Sequence, residues 1–182
     1  MIFSIGKTER EKIEDLVERS QNGDSKAFGQ LYEQFIDKIF RFVFFRVGRK
    51  EVAEDLTQSV FLKALEHIKS FRKESQFSSW LFTIARNSII DYYRSRKPVY
   101  SLGEFDELVA KDNTQDYESK EILVETLNAI RRLKEEEQEV IILHSVEEYS
   151  FEEIARITKK SPGALRILKH RALRKLKTDL KK

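Results

Sequence analysis

The chain has 182 residues, 36% charged and 40% hydrophobic, with a formal net charge of +3. The absence of cysteine excludes disulfides and thiolate metal sites and makes a reducing, cytoplasmic compartment the natural one. No apolar run reaches the roughly 20 residues that span a bilayer, so no membrane insertion is expected. The N-terminus MIFSIGKTEREK is not shaped like a secretory signal, because its apolar stretch is short and its charges follow it.

Two prolines and six glycines leave little material for turn-rich β structure, and the predicted fold is all-α. A first short helix is expected from near Thr8 to Asn22, with Ile13, Leu16 and Val17 on one face and Gly23 as its stop. Asp24 or Ser25 caps a long helix that runs to about Val47 and ends at Gly48. Its positions Phe28, Leu31, Tyr32, Phe35, Ile39, Phe42 and Val43 follow helical spacing. Phe40, Phe44 and Phe45 make its end apolar nearly all round, which requires neighbours on several sides. A third helix is expected from about Glu51 to Ser70, with Val52, Leu56, Val60, Ala64 and Ile68 as a stripe and Phe61 and Leu65 beside it. A fourth runs from Ser78 or Ser79 to Arg96, with Trp80, Leu81, Ile84, Ala85 and Ile89 inward and Pro98 at its boundary.

These elements form a first module over 8–97. Residues 98–116 are acidic, lack periodicity and read as a flexible linker. A second module spans 117–182. Its first helix runs from Tyr117 to about Leu133, with Ile122, Leu123, Leu127 and Ile130 inward. Its second spans Glu135 to Val146. The run Glu135 to Glu137 reads as a solvated helix start.

The sharpest local signal follows. Ser150 and Glu153 form a capping box that opens a helix over Phe151–Ile157. Thr158 to Lys160 turn the chain, Ser161 caps the next helix, and Pro162 sits at N1, where a missing amide costs nothing. Leu165, Leu168, Ala172 and Leu176 make a buried stripe. This is a helix-turn-helix, whose second helix enters the major groove. Ser101 to Glu153 hold 16 acidic against 5 basic residues, whereas Ala155 to Lys182 hold 11 Lys/Arg against one acid. Such a split suits one segment kept off nucleic acid and one placed on it. The plainer alternative is a helical hairpin with a solvated basic face.

Stretches in both modules resemble the RNA polymerase sigma factors of the extracytoplasmic-function type. EDLTQSVFLKALEHI (Glu54 to Ile68) is similar to that family's polymerase-binding helix. FRKESQFSSWLFTIARNSIIDYYRSRK (Phe71 to Lys97) resembles its −10-element region, and EEYSFEEIARITKKSPGALRILKHRAL (Glu147 to Leu173) its −35-reading helix-turn-helix. The resemblance implies core RNA polymerase and promoter DNA as partners, the −35 element as duplex and the −10 element melted, with an anti-sigma factor as a further partner. It implies no cofactor and no covalent chemistry.

Carried over residue by residue, polymerase docking falls to Asp55, Gln58, Phe61 and Leu62. Asp55 and Gln58 are three apart and share a helix face, as a polar docking strip would; periodicity also allows Phe61 to be core. Capture of a displaced −10 base needs a snug pocket with polar groups for its edge. Arg72, Lys73, Gln76, Ser78 and Ser79 could line it, and Arg86, Asn87, Tyr92, Arg94, Arg96 and Lys97 would track the strand. Trp80 is expected in the core instead. The −35 surface is assigned to Ser161, Ala164, Arg166, Lys169, His170, Arg171, Arg174 and Lys175.

The family's recognition helix reads Gly-Thr-Val-Lys-Ser-Arg-Leu-His-Arg-Ala-Arg or a near variant. Here its Ser-Arg-Leu centre is Ile167-Leu168-Lys169. Either the helix is turned slightly about its axis or the −35 preference is unusual. The family's Leu-Pro start of this module is Leu133-Lys134. Two other classes compete with a sigma factor: a stand-alone helix-turn-helix regulator that never touches polymerase, and an enzyme. Against the latter, His67, His144 and His170 have no metal-ligand spacing, and no glycine-rich phosphate loop occurs.

Overall fold

The computed structural model describes residues 8–72, 76–95 and 125–180. The linker at 98–116, the start of the second module with Ile122 and Leu123, and the candidate residues Lys73, Arg96 and Lys97 lie outside them. The first module holds α1 (Glu9–Gln21), α2 (Ser25–Val47), α3 (Lys50–His67, extended by a 3₁₀ turn over Ile68–Ser70) and α4 (Phe77–Ser95). The second holds α5 (125–131), α6 (Glu135–Ile141, widening into a π turn over Ile142–Val146), α7 (Phe151–Thr158) and α8 (Pro162–Asp179).

Local chemistry sets most of these boundaries. Thr8 and Glu11 close a capping box at α1. The Asp24 carboxylate accepts from the amides of Lys26 and Ala27 at α2. Gly48 ends α2 at φ 70°, a left-handed conformation that costs other residues about 1–2 kcal/mol. A Cβ there would also meet the Arg131 guanidinium, so the second module lies directly against this turn.

Phe35, Ile39, Phe42, Leu81, Phe82, Ala85 and Ile89 fill the centre of the first module, with Phe42 edge-on to Phe82 at 5.3 Å. The buried face of α3 is Ala53, Thr57, Val60, Phe61 and Ala64. Of the expected stripe, Val60, Ala64 and Ile68 are buried and Val52 and Leu56 half-buried against the core, whereas Leu65 beside it is 50% exposed. Small residues occupy the inner face because α2 and α4 both pack closely on α3. Trp80 is half-buried and packs on Phe71 and Phe77, as expected of a core side chain.

The two modules meet along a seam. Glu139 of α6 is 3% exposed, and its carboxylate lies 2.8 Å from Arg86 of α4. Arg46 of α2 is buried nearby and attracts the same carboxylate. Burial still dominates and pushes the Glu139 carboxyl up, against the pull of Arg46 and Arg86. Arg41 of α2 donates two 2.8 Å hydrogen bonds to Glu147. The Tyr149 ring stands edge-on to Phe82 at 5.1 Å. Burial pushes the Tyr149 phenol up to about 12, opposed by a hydrogen bond from Ser78.

Two outcomes follow from the seam. Glu139→Ala leaves two arginines facing a low-dielectric contact without their anion. It should weaken the inter-module contact by on the order of 2–3 kcal/mol, read as a longer distance between dyes placed on the two modules. Tyr149 is held as the neutral phenol, so its stabilisation is complete below its unfolded value near 10 and is lost as pH rises through about 12. The stability of wild type relative to Tyr149→Phe, measured by denaturant unfolding, should fall by about 2 kcal/mol between pH 9 and pH 12; a pH-independent difference would contradict this.

Candidate nucleic-acid interface

On α3 the side chains of Asp55, Gln58 and Leu62 are exposed, Leu62 by 62%. Leu65 continues the same face one turn further along. Phe61 does not belong to this strip. It is 4% exposed and packs edge-on to Tyr32 at 4.7 Å, so it supports the strip from beneath. Asp55 and Gln58 stand at i and i+3 with Leu62 one turn on, a polar patch ending in an apolar one.

Beside α4 a cavity of about 290 Å³ opens between the first module and the turn before α7. Gln76, Phe77 and Ser78 form one wall, and Val17 and Phe35 lie among its apolar lining. Gln76 Oε1 and Ser79 Oγ are buried without a hydrogen-bond partner among the described residues. Ser79 itself is 2% exposed and sits behind the cavity, not on its surface. Glu147, Glu148, Tyr149 and Glu153 of the second module form the facing wall. Arg72, Asn87 and Arg94 are exposed, and Tyr92 is half-buried against Tyr93. Arg86 departs from the expectation of a cation open to a strand, because Glu139 occupies it.

The helix-turn-helix forms as its sequence predicts. Ser150 Oγ accepts from the Glu153 amide, and the Glu153 carboxylate accepts from the Ser150 amide at 2.8 Å. Lys159 turns the chain at φ 59°, and Ser161 Oγ accepts from the Ala164 amide at 3.2 Å. Leu165 and Ala172 are buried and Leu168 and Leu176 half-buried, so the expected stripe faces inward. At the start of α6, Lys134 donates its amide to Glu137, a bond that a proline at this position could not make.

The expected −35 cations divide into two groups. Lys175 donates to both oxygens of Glu137 at 2.7 and 2.8 Å. Burial pushes the Glu137 carboxyl up, but Lys175 and the Lys134 amide outweigh it and hold the group below its ordinary value. Glu135 and Glu136 are exposed, as expected of a solvated helix start, whereas Glu137 is 4% exposed and departs from it. Arg166 lies 3.3 Å from Glu152 and over the Phe151 ring, and Lys169 leans over the same ring at 6.0 Å. Ser161, Ala164, His170, Arg171 and Arg174 are exposed.

Sequence reasoning missed the residues of the seam, Arg41, Arg46, Glu139, Glu147 and Tyr149. Each partner lies on the other module, and no local pattern marks it. Among the described residues no group of three His, Asp or Glu is placed to hold a metal, and no helix is long and apolar enough to cross a membrane.

Residues 31–99 match the family description Sigma-70 region 2, and residues 123–176 match Sigma-70, region 4. The ECF RNA polymerase sigma factor BldN of Streptomyces coelicolor is 37% identical over 172 residues, covering 91% of this chain; the chain spans 64% of that relative's length. RNA polymerase sigma factor YlaC of Bacillus subtilis is 35% identical over 158 residues, covering 84% of this chain and 91% of that one. The fold is that of CnrH in its complex with the cytosolic domain of CnrY, with a TM-score of 0.74 at 22% identity over 93% of this chain and 97% of that chain. The sigma factor RpoE of Bartonella quintana, solved with the anti-sigma factor NepR, matches with a TM-score of 0.69 at 26% identity over 86% of this chain and 98% of that chain. With both regions matched and curated relatives above 30% identity, the chain belongs to the extracytoplasmic-function family of RNA polymerase sigma factors.

Proposed function

We propose that this protein binds core RNA polymerase in the cytoplasm and directs it to promoters, with no catalytic chemistry of its own. The first module, 8–97, docks on polymerase and holds the melted −10 strand; the second, 117–182, reads the −35 duplex; 98–116 links them. The observation that carries this reading is the pairing of two surfaces on one chain. An exposed Asp55, Gln58 and Leu62 strip accompanies a capped, basic helix-turn-helix. A DNA-only regulator has no use for the first.

The −10 strand is assigned to the cavity beside α4 and to the cations around it. Its unpartnered Gln76 oxygen offers a hydrogen bond to a displaced base, and the apolar lining with Phe77 offers a stacking surface. In the closed arrangement the cavity faces Glu147, Glu148 and Glu153, which repel phosphate, and Arg86 is held by Glu139. Promoter engagement on this reading requires the seam to part, freeing Arg86 and removing the acidic wall. An anti-sigma factor, like the one bound to the Bartonella relative, would then act on the balance between closed and open forms.

Run-off transcription with purified core polymerase, on a promoter selected from random DNA, tests the proposal. Promoter-dependent transcripts are expected; DNA binding without initiation would instead make the chain a stand-alone regulator. Asp55→Ala with Gln58→Ala should weaken core binding about tenfold or more, the loss of one or two hydrogen bonds at a desolvated contact. Binding of the isolated variant to −35 duplex should be unchanged.

A further inference from the structure

Ile167 has no structural reason to be apolar. It lies in the first half of α8, 56% exposed. At about 3.6 residues per turn it stands opposite Leu165, on the same outward line as Arg174. Its helical neighbours on that face are Gly163 and Ala164 before it and His170 and Arg171 after it, all exposed. Small residues at the tip allow the backbone to approach a surface closely, and nothing lies within 4 Å of a Cβ built on Gly163. Ile167 is then the bulkiest apolar group at the leading end of the helix, with Arg171 and Arg174 exposed behind it on the same face. Those cations favour a polyanion and oppose a purely apolar protein groove.

We propose that Ile167 is a specificity-determining residue that contacts the 5-methyl group of a thymine in the major groove of the −35 duplex. The methyl is the one apolar group that base edges display in that groove, and aliphatic side chains read it by contact. Leu168, which stands where the family carries a base-reading arginine, is half-buried against the core of the module. Hydrogen-bonded readout from that position is absent, and methyl readout from Ile167 takes its place. This inference rests on the −35 reading of the second module.

The test uses reconstituted holoenzyme and a promoter selected by it, with each −35 thymine replaced singly by deoxyuridine, which removes the methyl and keeps the base pair. One replacement should weaken wild-type binding roughly fourfold, the burial of one methyl. Ile167→Ala should bind the thymine promoter at least fourfold more weakly and no longer distinguish thymine from deoxyuridine at that position. Equal deoxyuridine penalties in wild type and variant at every thymine would overturn the proposal. So would a −35 element without thymine, or a variant that loses affinity for core polymerase in the absence of DNA. Wild-type holoenzyme indifferent to the whole −35 element would overturn the −35 reading itself, a result distinct from all of these.

Discussion

Glu139 is a carboxylate almost stripped of water and set between two arginines of the other module. Removing charges from water costs several kcal/mol per ion, which mutual attraction offsets only when geometry is good. Here Arg86 and Glu139 approach to 2.8 Å, yet burial outweighs both cations in setting the state of the carboxyl. The contact is close to electrostatic balance. It fixes how the modules register while contributing little net adhesion. Adhesion comes from Tyr149 against Phe82 and from the bidentate Arg41–Glu147 pair, whose arginine is half in solvent. A seam of this kind separates at modest cost, because every charge that leaves it regains water. On the proposed reading, phosphate would compete directly for Arg86, which makes the −10 surface and the closed form alternative uses of one side chain.

What was legible in the sequence was local. Asp24, Gly48, the Ser150–Glu153 box and the Ser161-Pro162 start act within three or four residues, and each stands where the pattern puts it. The inner face of α3 was only partly read because its apolar residues lie nearly all round: Leu62 and Leu65 on one side, Leu56, Val60, Phe61 and Ala64 on the other. Periodicity cannot choose between such faces; close crossing by α2 and α4 does, by admitting Ala53, Thr57 and Ala64 inward. Phe61 was drawn into the docking strip by the family's motif, while its own environment makes it core. The seam was illegible for a different reason. Arg41 and Glu147 are 106 residues apart, and a charge at either position reads as ordinary surface.

The cations of the helix-turn-helix are ranked by the carboxylates that hold them. Lys175 is tied to a nearly buried Glu137 through two short bonds, and DNA would have to leave that carboxylate uncompensated to take it. Lys175 serves the junction between α6 and α8 before it serves a phosphate. Arg166 faces Glu152 at 3.3 Å with both side chains more than half exposed, a pair that contributes little and yields easily to a phosphate. His170, Arg171 and Arg174 are exposed and can meet DNA without breaking such a pair.

Affinity and specificity thus separate along one helix. On the −35 reading, the cations at its rear and flanks would supply a sequence-independent, salt-sensitive attraction that positions the helix. Its leading end, Gly163 to Ile167, holds one cation, and that cation inclines toward Phe151 and Glu152 instead of outward. What this end offers a base edge is backbone, a methyl-sized side chain and one branched aliphatic group. Hydrogen-bond readout from arginine distinguishes guanine sharply, whereas apolar contact distinguishes thymine by a single methyl. On the proposed reading, the replacement of a hydrogen-bonding centre by Ile167-Leu168-Lys169 moves discrimination toward shape and methyl contact. Much of the promoter's selectivity would then come from elsewhere on the chain, and the surface around the α4 cavity is where base-specific hydrogen bonding remains available.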